Sequence, residues 1–183
     1  MKKHINISLN RKEQGVTLIE LLVTLVVLSI LLTIAVPGFQ NFMRSNRLTS
    51  VANEMASALN LARSEAIRRG KTVTLCKSNA NASSPSCDGT NWTDGWLVFV
   101  GTSGAGDAVS ANHIKVGQIN ATGVQISTGT SAFDSGVSFS ANGASNASDT
   151  FSISITCNGD DQNRKREVDV GNTGRVSVKS VSC

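Results

Sequence analysis

A single carboxylate stands at the mouth of a long uncharged run. In Gly15-Val16-Thr17-Leu18-Ile19-Glu20 the chain passes from basic to apolar residues, and Leu21 to Val36 then carries no charge. A carboxylate at the edge of lipid is costly unless partnered, so Glu20 is a candidate for charge pairing. Four cysteines come next: Cys76, Cys87, Cys157 and Cys183. They include no C-x-x-C pair, and with only His4 and His113 as imidazoles their irregular spacing does not make a zinc site, so no metal is expected. In an exported domain they fit two disulfides. Three pairings are possible, and those expected are Cys76 with Cys87, tying down a loop rich in Ser and Asn, and Cys157 with Cys183, pinning the C-terminus to an inner strand. Catalysis has little to draw on. Beyond residue 15 there is one histidine, no nucleophile-elbow pattern surrounds a serine, and no phosphate-cradling glycine loop precedes a helix. No enzyme and no cofactor are expected. The remaining chemistry is cationic: Arg164, Lys165, Arg166, Arg175 and Lys179 stand against Glu167 and Asp169 near the C-terminus. Such a cluster could neutralise phosphates of double-stranded DNA. A charged strand edge that deters aggregation would use the same residues without a ligand.

The elements that must position these residues follow from periodicity and charge. Residues 16 to 36 approach the ~20 apolar residues that a helix needs to cross a bilayer. Lys2, Lys3, Arg11 and Lys12 precede them, which predicts a cytoplasmic N-terminus. An ordinary secretory signal would have a shorter apolar core ending at a small-residue cleavage site; here Pro37 comes where that site should be. Pro37-Gly38 predicts a kink or a melted turn. Helical spacing then resumes with Leu48, Val51, Met55, Leu59, Ala62 and Ala66 on one stripe, while Arg47, Glu54, Glu65 and Arg68 fall opposite. Gly70 after Arg68-Arg69 closes that helix, with cations near its negative end.

From Lys71 onward short β runs alternate with turn-formers. Strands are expected over 72–76, 95–100, 113–119, 123–127, 136–140, 150–157, 166–170 and 175–181, with Gly171-Asn172-Thr173-Gly174 as the last hairpin turn. The expected fold class is α+β, a long N-terminal helix kinked near Pro37 and packed on an antiparallel sheet or sandwich. The 183 residues and 40% hydrophobic content support one compact domain plus an appendage. Most of the formal charge of +4 lies in residues 1–15, so a chain beginning at Val16 would carry only +1. Global charge therefore does not point to nucleic acid. Aromatics at 4%, with no Tyr, also argue against stacking platforms for single strands.

The stretch from Gly15 to Glu20 resembles the type IV pilin signature. The resemblance implies a leader over 1–15, cut by a prepilin peptidase between Gly15 and Val16, and N-methylation of Val16. It makes Glu20 the fifth mature residue, which could meet a neighbouring subunit's N-terminal ammonium and reward correct axial register in a filament. Residues 16–43 would then be the membrane and polymerisation helix, and 44–183 the soluble domain with its helix over 46–69. Further on, the run from Ala58 to Gly70, with Trp92-Thr93-Asp94-Gly95-Trp96-Leu97-Val98-Phe99-Val100, is similar to the FimT/FimU minor pilins and the related GspH minor pseudopilins. That similarity implies a low-abundance subunit supporting pilus assembly, motility and DNA uptake, with other pilins and the inner membrane as partners. It would be a single-pass inner-membrane protein before assembly and part of a periplasmic or extracellular pilus afterwards. Trp92 and Trp96 read as core packing rather than a binding pair. Some FimT proteins bind DNA through a C-terminal Gly-Arg-x-Arg motif; Gly174-Arg175-Val176 resembles its first half, with Ser177 where the second Arg would stand and Lys179 on the same strand face. A DNA receptor on a competence pilus and a secretion pseudopilin are the two alternatives to an assembly subunit.

Overall fold

A computed structural model describes residues 15–102, 108–119, 122–155 and 165–181. The chain separates into two compact units, one ending at Asn41 and one spanning Phe42–Cys183. Helix α1, Leu18–Arg69, contributes to both.

In the first unit the helix begins at a built cap. The Glu20 amide donates to the Thr17 hydroxyl at 3.3 Å, and the Leu21 amide to the Thr17 carbonyl at 3.2 Å. Thr17 is thus the N-cap and Glu20 the third helical residue, where a carboxylate suits the positive helix end. The polar residues of the apolar run satisfy themselves locally: the hydroxyls of Thr24, Ser29 and Thr33 donate to the carbonyls three residues back at 2.7–2.8 Å. Pro37 sits inside the helix, and the helical run passes through Pro37-Gly38 without the melted turn that the sequence suggests. Proline removes one backbone bond, and the turns on either side keep theirs.

In the second unit, Leu48, Val51, Ala52, Met55, Ala58, Leu59, Ala62 and Ala66 of α1 are buried. They include every residue of the expected stripe. The helix ends in a Schellman turn: Gly70 takes φ +63°, and the Lys71 amide reaches the Ala66 carbonyl at 3.3 Å. Eight strands follow, β1 (Val73–Lys77), β2 (Trp96–Val100), β3 (His113–Gly117), β4 (Val124–Thr128), β5 (Val137–Phe139), β6 (Asp149–Ile155), β7 (Lys165–Val170) and β8 (Val176–Val181). They form two four-stranded antiparallel sheets, ordered β3-β2-β1-β5 and β4-β6-β7-β8.

Alternation decides which side chains meet. Val73, Leu75, Trp96 and Val98 of the first sheet join Phe151, Ile153, Val168 and Val170 of the second and the helix stripe in one core. Trp92 meets Phe151 edge-on at 5.0 Å between centroids, and Phe133 stacks on Phe151 at 5.3 Å. Both tryptophans are buried, so they serve the core. Gly117 lies opposite Trp96 in the β2–β3 register, and a Cβ there would collide with the indole. The other face of the first sheet carries a smaller cluster of Cys76, Leu97 and Phe99, with Cys87 packed against it.

Candidate functional site

Three places carry the chemistry anticipated from sequence, and they differ in how the fold uses them. The first is the helix start. From Val16 to Ile34 the large apolar side chains are about half exposed or more, and this helix is long and apolar enough to cross a membrane. Gly15, Val16 and Glu20 are all exposed. The Thr17 cap is the feature that sequence reading passed over, although Thr-x-x-Glu ahead of an apolar run is its signal.

The second is the cysteine set. Cys76 and Cys87 are disulfide-bonded, with Cα atoms 5.5 Å apart. Cys76 lies on β1 facing away from the main core, so the bridge holds the following loop against Leu97 and Phe99. Cys157 and Cys183 lie outside the described residues. Ser154 of β6 and Val181 of β8 both pair with Lys165 of β7, so these two strands flank the same end of β7.

The third is the C-terminal hairpin of β7 and β8. Arg164 lies outside the described residues. Lys165, Glu167 and Asp169 share one face, and the register sets Glu167 opposite Lys179 and Asp169 opposite Ser177. Lys165 pairs with Glu167 at 2.8 Å, and Lys179 pairs with Asp169 at 2.8 Å and Glu167 at 3.7 Å. For Asp169, burial pushes the pKa up, but hydrogen bonds from Lys179 and Thr150 outweigh it and hold the carboxyl below its usual value. The Asp169 carboxylate in turn raises the Lys179 pKa. Arg166 points to the opposite face and donates to the hydroxyls of Ser180 and of Thr49 on α1. Arg175 is exposed, and no described residue accepts from its guanidinium. It lines a groove of about 610 Å³ with Thr150, Asp169, Thr173, Ser177 and Lys179.

The glycine of the Gly174-Arg175 pair has a separate task. Gly174 takes φ +72°, and a Cβ there would collide with the carbonyl of Gly143. Above that contact Arg63 of α1 donates from Nε to the Gly143 carbonyl and from Nη2 to the Thr173 carbonyl, each at 3.1 Å. The Ser145 amide adds a bond to the Asn172 carbonyl at 3.0 Å. One arginine therefore clasps two loops onto the helix, and Arg175 leaves the turn from a fixed point.

Comparison with known proteins agrees with this architecture. The family model described as type II transport protein GspH matches residues 51–174, and that of the prokaryotic N-terminal methylation motif matches residues 10–36. No curated protein matches the chain. Among solved structures, the type IV minor pilin FimU of Pseudomonas aeruginosa matches in two crystal forms. One shares 22% identity with a TM-score of 0.57, covering 78% of this chain and 98% of FimU; the other shares 20% with a TM-score of 0.53, covering 74% and 98%. The minor pseudopilin EpsH of the Vibrio cholerae type 2 secretion system matches at 12% identity and a TM-score of 0.47, covering 74% of this chain and 97% of EpsH. With well over half of its length inside one family model and a methylation motif ahead of it, the chain belongs to the GspH family, among the FimT/FimU/GspH-like minor pilins and pseudopilins.

Proposed function

We propose that the protein is a minor pilin that enters a type IV pilus and supports its assembly. The observation that carries this reading is the exposed apolar helix from Val16 onward beneath a methylation motif. In this reading the prepilin peptidase cuts between Gly15 and Val16 and Val16 is N-methylated. The helix of residues 16–43 holds the protein in the inner membrane with its N-terminus cytoplasmic, then packs among other pilins in the filament. In the same reading Glu20, three residues past the cap, meets a neighbour's N-terminal ammonium. In lipid the pair is worth more than either charge alone, because each would otherwise be desolvated without compensation. The test has two stages. Mass spectrometry of the mature chain should give Val16 as a methylated N-terminus, and an intact leader would overturn the reading. Glu20→Ala should then insert normally in the membrane yet fall well below wild type in sheared pili; equal incorporation would remove Glu20 from assembly.

A second reading makes the hairpin a contact for double-stranded DNA. Arg175 favours it, since its guanidinium finds no acceptor among the described residues and lines the groove. The ion pairs of Lys165 and Lys179 oppose it, because both cations already have carboxylates. Binding carried mainly by Arg175 would be weak and sequence-independent. Each phosphate neutralised lowers the logarithm of affinity with that of salt by a slope of about 0.9. In a titration of the full chain in detergent with a DNA duplex, Arg175→Ala should lose more affinity than Lys179→Ala. If wild type fails to bind at low salt, the DNA reading ends and the assembly reading is untouched. A place in type II secretion instead of a pilus would show as secretion loss, with piliation intact, in a deletion strain.

A further inference from the structure

The C-terminal end of α1 holds a second set of cations, apart from the hairpin. Arg68, Arg69 and Lys71 lie within four residues and line a groove of about 370 Å³, whose other walls are Val100 at the end of β2 and Ala111 and Asn112 ahead of β3. Glu65 takes part of this charge. Arg68 grips it as a fork, Nε to Oε1 at 3.0 Å and Nη2 to Oε2 at 2.5 Å, while Arg69 gives only its Nε, at 2.6 Å. Both terminal nitrogens of Arg69 and the exposed Lys71 ammonium find no acceptor among the described residues. The helix dipole explains cations in the last turn. It does not explain Lys71, which lies past Gly70 outside the helix, nor a groove with an apolar wall.

We infer that this groove docks an acidic segment of a partner protein, placing a carboxylate between Arg69 and Lys71. Glu65 supplies the precedent, since this cluster already binds one carboxylate in the two-pronged geometry that guanidinium favours. The walls of Val100 and Ala111 suit the methylenes of a Glu side chain. Arg69 already gives one nitrogen to Glu65, so the cluster offers a duplex few phosphate contacts, whereas a single carboxylate needs no more. The chemistry stands on these residues alone; that the partner is a neighbouring pilin rests on the assembly reading.

The test uses the full chain in non-ionic detergent and a fluorescent octaglutamate peptide, followed by anisotropy. Wild type should bind at low salt and weaken as salt screens the charges. Arg69→Ala/Lys71→Ala, which leaves the Arg68–Glu65 fork in place, should bind about tenfold more weakly, the scale of one lost charge-assisted contact. Lys71→Glu alone should weaken binding in the same direction, and its thermal midpoint, read alongside, should match wild type. Arg175→Ala should bind as wild type does. The inference is overturned if wild type does not bind at low salt, if both groove variants bind unchanged, or if Arg175→Ala alone removes binding. Displacement of the peptide by a 20-base-pair duplex that is itself sensitive to the groove variants would assign the groove to phosphate instead. Processing at Val16, measured in the same preparation, separates failure here from failure of the pilin reading.

Discussion

Along Leu18–Asn41 apolar side chains surround the helix and stay exposed, whereas from Leu48 to Ala66 they gather on one stripe that is buried. The two stretches share one helical run and solve opposite problems. The second buries its stripe against strands of its own chain, so alternation with polar residues is enough to define it. The first has no polar face to give to water, so its environment must come from lipid or from other copies of such helices. Even its hydroxyls turn back onto the backbone.

The difference can be broken or sharpened by substitution. Leu59→Ala, at a fully buried position, should cost about 2–5 kcal/mol in unfolding of the second unit, the usual range for a Leu emptied from a core. Leu28→Ala, half exposed, should leave that unfolding within about 0.5 kcal/mol and act instead on membrane retention or pilus incorporation. Denaturant unfolding of the full chain in micelles, read by Trp fluorescence, checks both. Equal losses would mean that the two stretches are not independent.

A somewhat smaller effect is expected from the staples of the second unit. Replacing Cys76 and Cys87 by Ser should lower stability by about 2–4 kcal/mol and loosen the loop over Leu97 and Phe99. Non-reducing peptide mapping should recover the 76–87 linkage and join Cys157 to Cys183. Free thiols at 157 and 183, or a crossed linkage, would refute that second bridge.

The smallest effect concerns Glu65. Hydrogen bonds from Arg68, then Arg69, hold its carboxyl at about 2, below the ordinary 4.5. A depressed folded-state pKa stabilises the fold above the unfolded value and loses that stabilisation as pH falls. The thermal midpoint of wild type relative to Glu65→Gln should therefore be higher near neutrality, and the gap should close between pH 4.5 and about 2. A gap that persists at the acid end would place the effect in packing rather than charge.

Much of the second unit was legible because its signals are local. The stripe from Leu48 to Ala66 needs only a period, and each of the eight strands begins and ends within about one residue of its expected bounds except at two tails, the end of 113–119 and the end of 150–157. The first runs out past Gly117, where β3 ends at the Trp96 contact; residues 156–157 lie outside the described residues. Pairing was not legible. Nothing in short alternating runs states that β5 joins β1 across 60 residues, or that β4 leaves β3 to join β6. The hairpin charges fall between these cases. Counting gave a positive excess, but the register that sets Glu167 against Lys179 pairs Val170 with Val176, one residue beyond the Gly171–Gly174 turn, and that shift is not written in the turn residues. Arg63 was beyond reach, because its acceptors are main-chain carbonyls, which no side-chain pattern announces.

Arg63 also sets an order of events. Its acceptors, Gly143 and Thr173, follow it by 80 and 110 residues, so the helix leaves the ribosome long before the groups that hold it exist. Domains dominated by such distant pairings close slowly, because the chain loses the entropy of large loops before contact rewards it. A nascent chain arrested before residue 171 would lack β8 and the Thr173 half of the clasp together, leaving Val168 and Val170 with an open neighbour on their sheet. Completion of the domain is thereby tied to completion of translation.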